Sequence, residues 1–452
     1  MGRTRFDQGV PERSQVRSVL TAPELGAGLP RAAAISSQAA ALAGIGSDRL
    51  RFVLRLAASL HGFGVPAHRL EPMLESVGLS VGLELTCFVE PTAIHASVVQ
   101  GGVASHHFLR PVPAGEDLGK LCALDALATR VALGEVSVSD GLVELESILE
   151  QPSGASPAVQ VLAFAAASAS ASCFFGGGVA DVLAAGAIGA FVGWILRVLA
   201  KHDRAAPLQD GLCALIASLL ANLVQLTGVP LDVDRALVAS LIVLIPGLTL
   251  TLAVAELATR HLASGVGRLF QALVSFGGIA FGVILGNRMV LRLAELVGAE
   301  DALAVELVEP TPTPLIATIT ALIVAPLAFA VLLRARRADV LPILGVGILS
   351  FLSAKLGGAI LGSELGAFVG GFAVAAVSNV LASRFDRPSS VTLVPGILLL
   401  VPGSLGFRSV QALMEQDVSQ SLASLASVVT VAFSLVAGLL FANWVCSPKR
   451  GL

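Results

Sequence analysis

Two proline-glycine steps inside apolar segments are the parts of this chain best suited to chemistry within a membrane. They are Pro246-Gly247 and Pro402-Gly403. A proline within a helix has no N–H and leaves the carbonyl four residues earlier without its partner, here Ile242 and Leu398. Unpaired backbone at membrane depth is tolerated only beside protein or a water-filled cavity. The two steps therefore predict broken helices whose free carbonyls and helix N-termini bind a small polar solute.

The two steps belong to a longer internal repeat. The same register aligns Gly282 with Gly438 and Asn287 with Asn443 without a gap. A duplicated interruption favours paired broken helices, although two ordinary kinks satisfied by neighbouring helices stay an open alternative. If the helices are broken, we expect an Ala-Ala exchange at one step to restore a continuous helix without loss of stability, since alanine has the highest helix propensity. At an ordinary kink, the same exchange is expected to alter packing and lower expression.

Ionisable side chains within the apolar segments are few, and each is a candidate for function because its burial in lipid is costly. Asp181 and Glu256 are the candidates for proton coupling, and Arg268 is a candidate partner for Glu256. Lys355 has a stem long enough to reach the membrane surface, which fits a structural role as well. Asparagines in such segments commonly join helices, but the amide of Asn379 is also suited to a polar solute.

The composition is that of a polytopic membrane protein. Of the 452 residues, 55% are hydrophobic and 13% are charged, whereas soluble domains are about 25% charged. No basic run with interleaved aromatic residues favours nucleic-acid binding. The five cysteines form no CxxC pair, so no metal site is predicted. The chain has no nucleotide-binding glycine motif, so no cofactor is predicted.

The chain divides into five parts by composition and hydrophobic pattern. They are a flexible tail (1–47), a small α+β domain (48–152), a first five-helix membrane module (153–292), an acidic extracytoplasmic linker (293–312) and a second five-helix module (313–447). The ten predicted spans lie near 158–175, 181–200, 207–227, 236–257, 266–287, 313–333, 340–360, 364–383, 391–407 and 424–445.

The basic residues predict the orientation in the membrane. Most of them lie in alternate loops and at the C-terminus, as do Arg197, Arg260, Arg334 and Arg384. Cytoplasmic loops carry an excess of Lys and Arg, so we expect both termini and the α+β domain on the cytoplasmic side of the cell (inner) membrane. Because each module has an odd number of spans, the second enters the membrane inverted, as in many transporters.

Residues 48–152 hold five of the seven histidines of the chain. They contain no HExxH, GxSxG or Walker motif. A membrane-anchored hydrolase acting through this domain is the alternative from another functional class. It is disfavoured because ten spans exceed what a membrane anchor requires, and we predict that the protein is not an enzyme.

Several motifs, taken in order over residues 48–445, resemble the threonine/serine exporter family. They are Gly62–Glu71 leading to Glu90–Ile94, Pro246-Gly247 with Ser264–Leu269, and Arg384–Pro388 through Pro395-Gly396 to Pro402–Ser404. The resemblance implies a ten-span carrier with an N-terminal cytoplasmic domain. It implies export of small hydroxy amino acids, driven by the proton-motive force. The family's arginine-glutamate pair is present as Arg69 and Glu71, although Pro72 is expected to shorten that helix.

The resemblance indicates an exporter more clearly than it indicates which substrate is exported. Relatives in which the two modules are separate proteins are linked to dicarboxylate export, so export of small dicarboxylates such as succinate is the alternative. The expected partners are the amino acid, protons and the lipid bilayer, and assembly of identical chains stays open. The substrate-binding residues predicted here come from the chain itself and are Ile242, Pro246, Gly247, Leu398, Pro402, Gly403 and Asn379.

Overall fold

The structure, a computed structural model, describes residues 47–100, 102–152, 154–298 and 314–447. The predicted tail and most of the predicted linker lie outside these residues. Within the described chain, an N-terminal α+β domain is followed by a bundle of apolar helices.

The N-terminal domain packs helices against a three-stranded antiparallel sheet of order β1-β2-β3. Side chains alternate along β1, where Leu85, Cys87 and Val89 are buried, as expected of a strand with one face in a core. The elements are α1 (Asp48–Gly62), α2 (Ala67–Ser80), β1 (Glu84–Glu90), β2 (Ala93–Gln100), β3 (Val103–Leu109), α3 (Leu118–Ala132) and α4 (Val138–Glu150).

Helix α2 is longer than the sequence predicts. It passes both Pro72 and Gly78 and ends at Ser80. Gly78 allows close packing within this helix, since a methyl group built on it would lie 3.0 Å from Cβ of Leu85. The expected shortening at Pro72 is therefore wrong.

The described residues include eight helices that are long and apolar enough to cross a membrane, or nine if one bent pair counts as a span. The chain is thus a polytopic helical membrane protein. The helices are α5 (Pro157–Phe174), α6 (Val179–Leu199), α7 (Gln209–Leu226), α8 (Val233–Ser240), α9 (Gly247–Ala258), α10 (Leu262–Val297), α11 (Leu315–Leu332), α12 (Val340–Leu361), α13 (Gly366–Phe385), α14 (Ser390–Leu398), α15 (Gly403–Met414) and α16 (Val418–Val445).

Two of the ten predicted spans differ from simple helices. The predicted span 236–257 is two short helices, α8 and α9, and the predicted span 391–407 is the bent pair α14 and α15. Helix α10 also runs past the predicted module boundary at 292, because the sequence stays helical until Gly298 caps it in the left-handed conformation.

A similar packing contact occurs within each half of the bundle. Gly282 of α10 lies against the backbone carbonyl of Gly211 on α7, and Gly438 of α16 lies against that of Phe368 on α13. Neither position leaves room for a side chain, so each glycine allows two helices to approach closely.

A similar polar contact also occurs within each half. Asn222 Nδ2 donates to Asn287 Oδ1 at 2.8 Å between α7 and α10. Asn379 Nδ2 donates to Asn443 Oδ1 at the same distance between α13 and α16. Asn287 and Asn443, which the sequence repeat aligns, therefore make equivalent contacts, and their partners Asn222 and Asn379 are one residue out of that register.

Candidate functional site

A cavity of about 690 Å³ lies between the two interrupted helices. Ile242 and Pro246 line it from the first interruption, and Leu398 and Gly403 line it from the second. Helices α5, α10 and α11 supply most of the remaining wall. The fold thus brings together residues that are far apart in the sequence, at one concave site of the size used by small-molecule pockets.

The first interruption separates α8 from α9 at residues 241–246. The N–H groups of Leu244 and Ile245 both donate to Leu241 O, at 2.9 and 3.1 Å. Pro246 has no N–H and takes the N-cap position of α9. None of the described residues donates a hydrogen bond to Ile242 O, so this carbonyl is available to a ligand.

The second interruption repeats this pattern between α14 and α15, whose axes bend by 44°. The N–H groups of Leu400 and Val401 both donate to Ile397 O, at 2.8 and 3.0 Å. Pro402 takes the N-cap position of α15. Within the described chain, Leu398 O receives no hydrogen bond either. Both carbonyls that the sequence marked as freed are therefore unpaired, and both residues line the cavity.

The two interruptions cross at their glycines. A methyl group built on Gly247 would lie 3.0 Å from Gly403 Cα and 2.7 Å from Val401 Cγ2. One built on Gly403 would lie 3.1 Å from Gly247 Cα and 2.8 Å from Ile245 Cγ2. These contacts argue against the expectation that an Ala-Ala exchange leaves stability unchanged, because alanine would force two packed backbones apart.

The polar side chains of the cavity come from positions to which the sequence analysis assigned no substrate role. The Ser275 hydroxyl donates to Asp210 Oδ2 at 2.7 Å and joins α10 to the first turn of α7. An acid at the end of an apolar segment is common, so Asp210 gave no signal in the sequence. The polar lining residues are Glu116, Asp210, Thr249, Gln271, Ser275 and Ser404.

Glu256 is fully buried near the end of α9 and does not line the cavity. Its carboxylate accepts hydrogen bonds from Arg268 Nε (3.1 Å to each oxygen), the Ser264 hydroxyl (2.7 Å) and the N–H of Ala67 (3.0 Å). The structure confirms the predicted partnership with Arg268. Because Ala67 begins α2, this carboxylate joins the N-terminal domain to the membrane helices.

Asp181 is buried in the first turn of α6, also outside the cavity lining. It accepts the N–H groups of Gly178 and Asp232, each at 2.8 Å. Asp232 leads directly into α8. In the second half, buried Asp339 pairs with Arg387, which precedes α14. Each aspartate therefore ties the start of one helix to the segment that enters an interrupted helix.

Two other predicted residues lie away from the cavity lining. Asn379 donates to Asn443 Oδ1 and to Cys446 O, both at 2.8 Å, so its amide joins helices. Lys355 is exposed, and its ammonium group lies 6.0 Å from the ring centroid of Phe351. These positions support structural roles for both residues.

The predicted pair Arg69 and Glu71 lies where the N-terminal domain meets the membrane helices. Arg69 Nη1 donates to Ser389 Oγ at 3.1 Å. Glu71 accepts the N–H of Val89 at 2.8 Å and contacts His261 Nε2 at 3.2 Å. Both residues therefore connect the domain to loops that flank the interrupted helices.

The contact between the N-terminal domain and the membrane helices is expected to become less stable in acid. Burial, with the charges of Arg69, His261 and Arg268, lowers the pKa of His68 to about 3, from about 6.5 in the unfolded chain. A histidine kept neutral in the folded state stabilises fully above pH 6.5 and progressively less as pH falls toward 3. The unfolding free energy should drop by roughly 2 kcal/mol from pH 6.5 to pH 5.

Thermal unfolding of the purified protein, followed between pH 5 and pH 7.5, measures this effect. The variant His68→Leu should show a smaller loss of melting temperature in acid than the wild type. An identical acid loss in both proteins would contradict the assignment to His68.

Comparison with known proteins agrees with this architecture. The model of the threonine/serine exporter family (ThrE) matches residues 51–290, and a second threonine/serine exporter model of that name matches residues 318–445. No solved structure matches the chain.

Individual relatives are distant. A protein named probable threonine/serine exporter from Mycobacterium tuberculosis is 24% identical over 340 residues, which cover 74% of this chain and 64% of that protein. The threonine/serine exporter of Corynebacterium glutamicum is 26% identical over 246 residues, covering 53% and 48%. Pheromone-regulated membrane protein 10 of Candida albicans is 23% identical over 375 residues, covering 80% and 33%. The chain thus spans less than two thirds of these relatives, but one family model covers more than half of the chain, which therefore belongs to the threonine/serine exporter family.

Proposed function

We propose that this protein is a secondary active exporter of threonine- and serine-type small amino acids, driven by the proton-motive force. The observation that carries the proposal is the cavity of about 690 Å³ with an unpaired carbonyl from each interrupted helix. The names of the bacterial relatives support amino acids as the cargo. Family membership favours a transporter over the hydrolase alternative.

The interruptions supply complementary groups for a zwitterion. The carbonyls of Ile242 and Leu398 accept hydrogen bonds from an ammonium or hydroxyl group. The first turns of α9 and α15 reach the cavity at Thr249 and Ser404, where helix N-termini favour a carboxylate. Such a site recognises both ends of an amino acid through backbone groups.

The charge of the cavity favours an amino acid over a dicarboxylate. Among the described lining residues, the charged side chains are the acids Glu116 and Asp210. Two carboxylates repel a dianion, whereas they attract an ammonium group. The alternative cargo, a small dicarboxylate such as succinate, is therefore disfavoured.

We further propose that the two five-helix modules are inverted repeats within the inner membrane, with both termini cytoplasmic. The matching asparagine pairs, Asn222 with Asn287 and Asn379 with Asn443, support the repeat. The equivalent hydrogen bonds at the two interruptions support it as well.

Cysteine labelling of intact cells tests the orientation. Cys446 is half-exposed and the other four cysteines are buried. The variant Cys446→Ser therefore gives a background with little labelling of native cysteines. A membrane-impermeant maleimide should label Val229→Cys, in the loop before α8, and should label Arg337→Cys only after the cells are opened. The opposite pattern would contradict the proposed orientation.

The proposed function is tested by efflux. Cells preloaded with labelled threonine, serine or succinate should release the two amino acids faster when they produce this protein, and collapse of the proton gradient should abolish the difference. Succinate release should not change. Faster release of succinate alone would replace the amino-acid assignment with the dicarboxylate alternative.

A further inference from the structure

Asp210 places a carboxylate at the cavity, in the first turn of α7. Its Oδ2 accepts the Ser275 hydroxyl at 2.7 Å. Its Oδ1 accepts no hydrogen bond from the described residues, so that oxygen is available to a ligand. The first turn of a helix favours a negative charge, and the serine bond fixes the direction of the carboxylate.

The surroundings leave this carboxylate without a basic partner at the cavity. Glu116, the other charged lining residue, is exposed and belongs to the N-terminal domain. Asp210 is half-buried, and an ionised group inside a membrane protein is costly unless it is paired. A ligand that carries a positive charge would provide that pairing.

Several charged groups on the helices packed around α7 are engaged elsewhere. On α10, Arg268 bonds to Glu256, and Gln271 and Ser275 are uncharged. On α6, Arg197 bonds to Gln160. The segment that joins α6 to α7 also carries Lys201, His202, Asp203 and Arg204, and Cys213 lies one turn beyond Asp210 on α7. Asp234 and Arg235 lie at the N-terminal end of α8, which follows the other end of α7.

We propose that Asp210 is the residue at which the amino-acid substrate and the proton exchange. This inference rests on the proposed export function and deepens it. With the cavity open to the cytoplasm, the carboxylic acid of Asp210 releases its proton, and the carboxylate then pairs with the substrate ammonium. With the cavity open to the outside, the ammonium departs with the substrate and a proton rebinds to the same carboxylate. One group that binds either cation, but never both, couples the two flows.

The purified full-length protein allows a direct test by equilibrium binding of labelled threonine between pH 5.5 and 8. In the wild type, the apparent Kd should rise with acidity. Asp210→Asn should bind threonine at least tenfold more weakly, with a Kd that does not change over this pH range. N-acetylthreonine, which lacks the ammonium group, should not bind the wild type.

The matched control is Glu295→Gln, which removes an exposed carboxylate from α10, the helix that carries Ser275. It should keep the wild-type affinity and pH profile. Ser275→Ala keeps the carboxylate but removes its hydrogen-bond donor, so proton competition should shift to higher pH. If Asp210→Asn fails to fold, this shift in Ser275→Ala tests the inference instead.

Three results would overturn the inference: wild-type affinity in Asp210→Asn, a wild-type pH profile in that variant, or an unchanged midpoint in Ser275→Ala. A wild-type protein that binds threonine independently of pH would also reject Asp210 as the exchange site and leave the export proposal standing. A wild-type protein that binds neither threonine nor serine would instead reject the proposed function itself.

Discussion

Alanine at Gly247 or at Gly403 is expected to lower threonine efflux per folded molecule at least tenfold. The two glycines meet at the crossing of the interrupted helices, where each added methyl group would come within 3.1 Å of the opposite Cα. Relief of this contact would displace the turns that carry Ile242 and Leu398, and with them the unpaired carbonyls at the cavity. A displacement of about 1 Å at a binding site can cost two orders of magnitude in rate.

Efflux of labelled threonine, divided by the amount of folded protein in the membrane, measures this effect. Gly277→Ala and Gly345→Ala are matched controls, because an added methyl group at either position meets nothing within 4 Å. Both controls should transport as the wild type does. Equal specific transport in Gly247→Ala, Gly403→Ala and the controls would leave the interruptions as ordinary kinks.

Glu256→Ala is expected to cost about 3–5 kcal/mol of stability, because it leaves Arg268 as a largely buried charge without its partner. It also removes the acceptor for the N–H of Ala67. The N-terminal domain should therefore become more accessible to protease in membranes. Thermal unfolding and limited proteolysis of the full-length protein measure the two effects.

An exposed ion pair provides the control for Glu256. Glu295 pairs with Arg292 at 2.7 Å, and both side chains are well exposed. Since surface ion pairs contribute only about 0–1 kcal/mol, Glu295→Ala should unfold close to the wild-type temperature. Equal destabilisation by Glu256→Ala and Glu295→Ala would contradict the anchoring role.

The part of Asp181 and Glu256 in proton coupling stays a prediction. Asp181 accepts hydrogen bonds from two donors and Glu256 from three, all outside the cavity lining, which favours a fixed structural charge. If Asp210 exchanges the proton, Glu256→Gln and Asp181→Asn should still accumulate threonine against a gradient when a pH difference is imposed. Loss of accumulation with intact downhill exchange would return the coupling role to these two residues.

The sequence predicted the interruptions because their cause is local. A proline removes one N–H at a known position, so the carbonyls of Ile242 and Leu398 followed from residue type and spacing alone. The partnership of Glu256 with Arg268 was also predictable, because the two residues lie close together on either side of one loop.

The remaining features depend on contacts between distant segments. The crossing of Gly247 with Gly403 joins the two halves of the bundle, and the sequence repeat gives their equivalence but not their contact. Asp210 looked like an ordinary acid at a helix start, since its contact with Ser275 on another helix and its place at the cavity are visible only in the fold. Asn379 had the same ambiguity, which only its neighbour Asn443 resolves.

Protection of a cysteine placed in the cavity tests the central claim most directly. Ser404 lines the cavity at the start of α15, so Ser404→Cys, in the Cys446→Ser background, reports on occupancy between the interrupted helices. Saturating threonine should slow its reaction with maleimide at least fivefold, succinate should not, and Arg337→Cys in the exposed loop should be unaffected by either. An unchanged rate at Ser404→Cys in a variant that still transports threonine would place the substrate elsewhere and contradict the account.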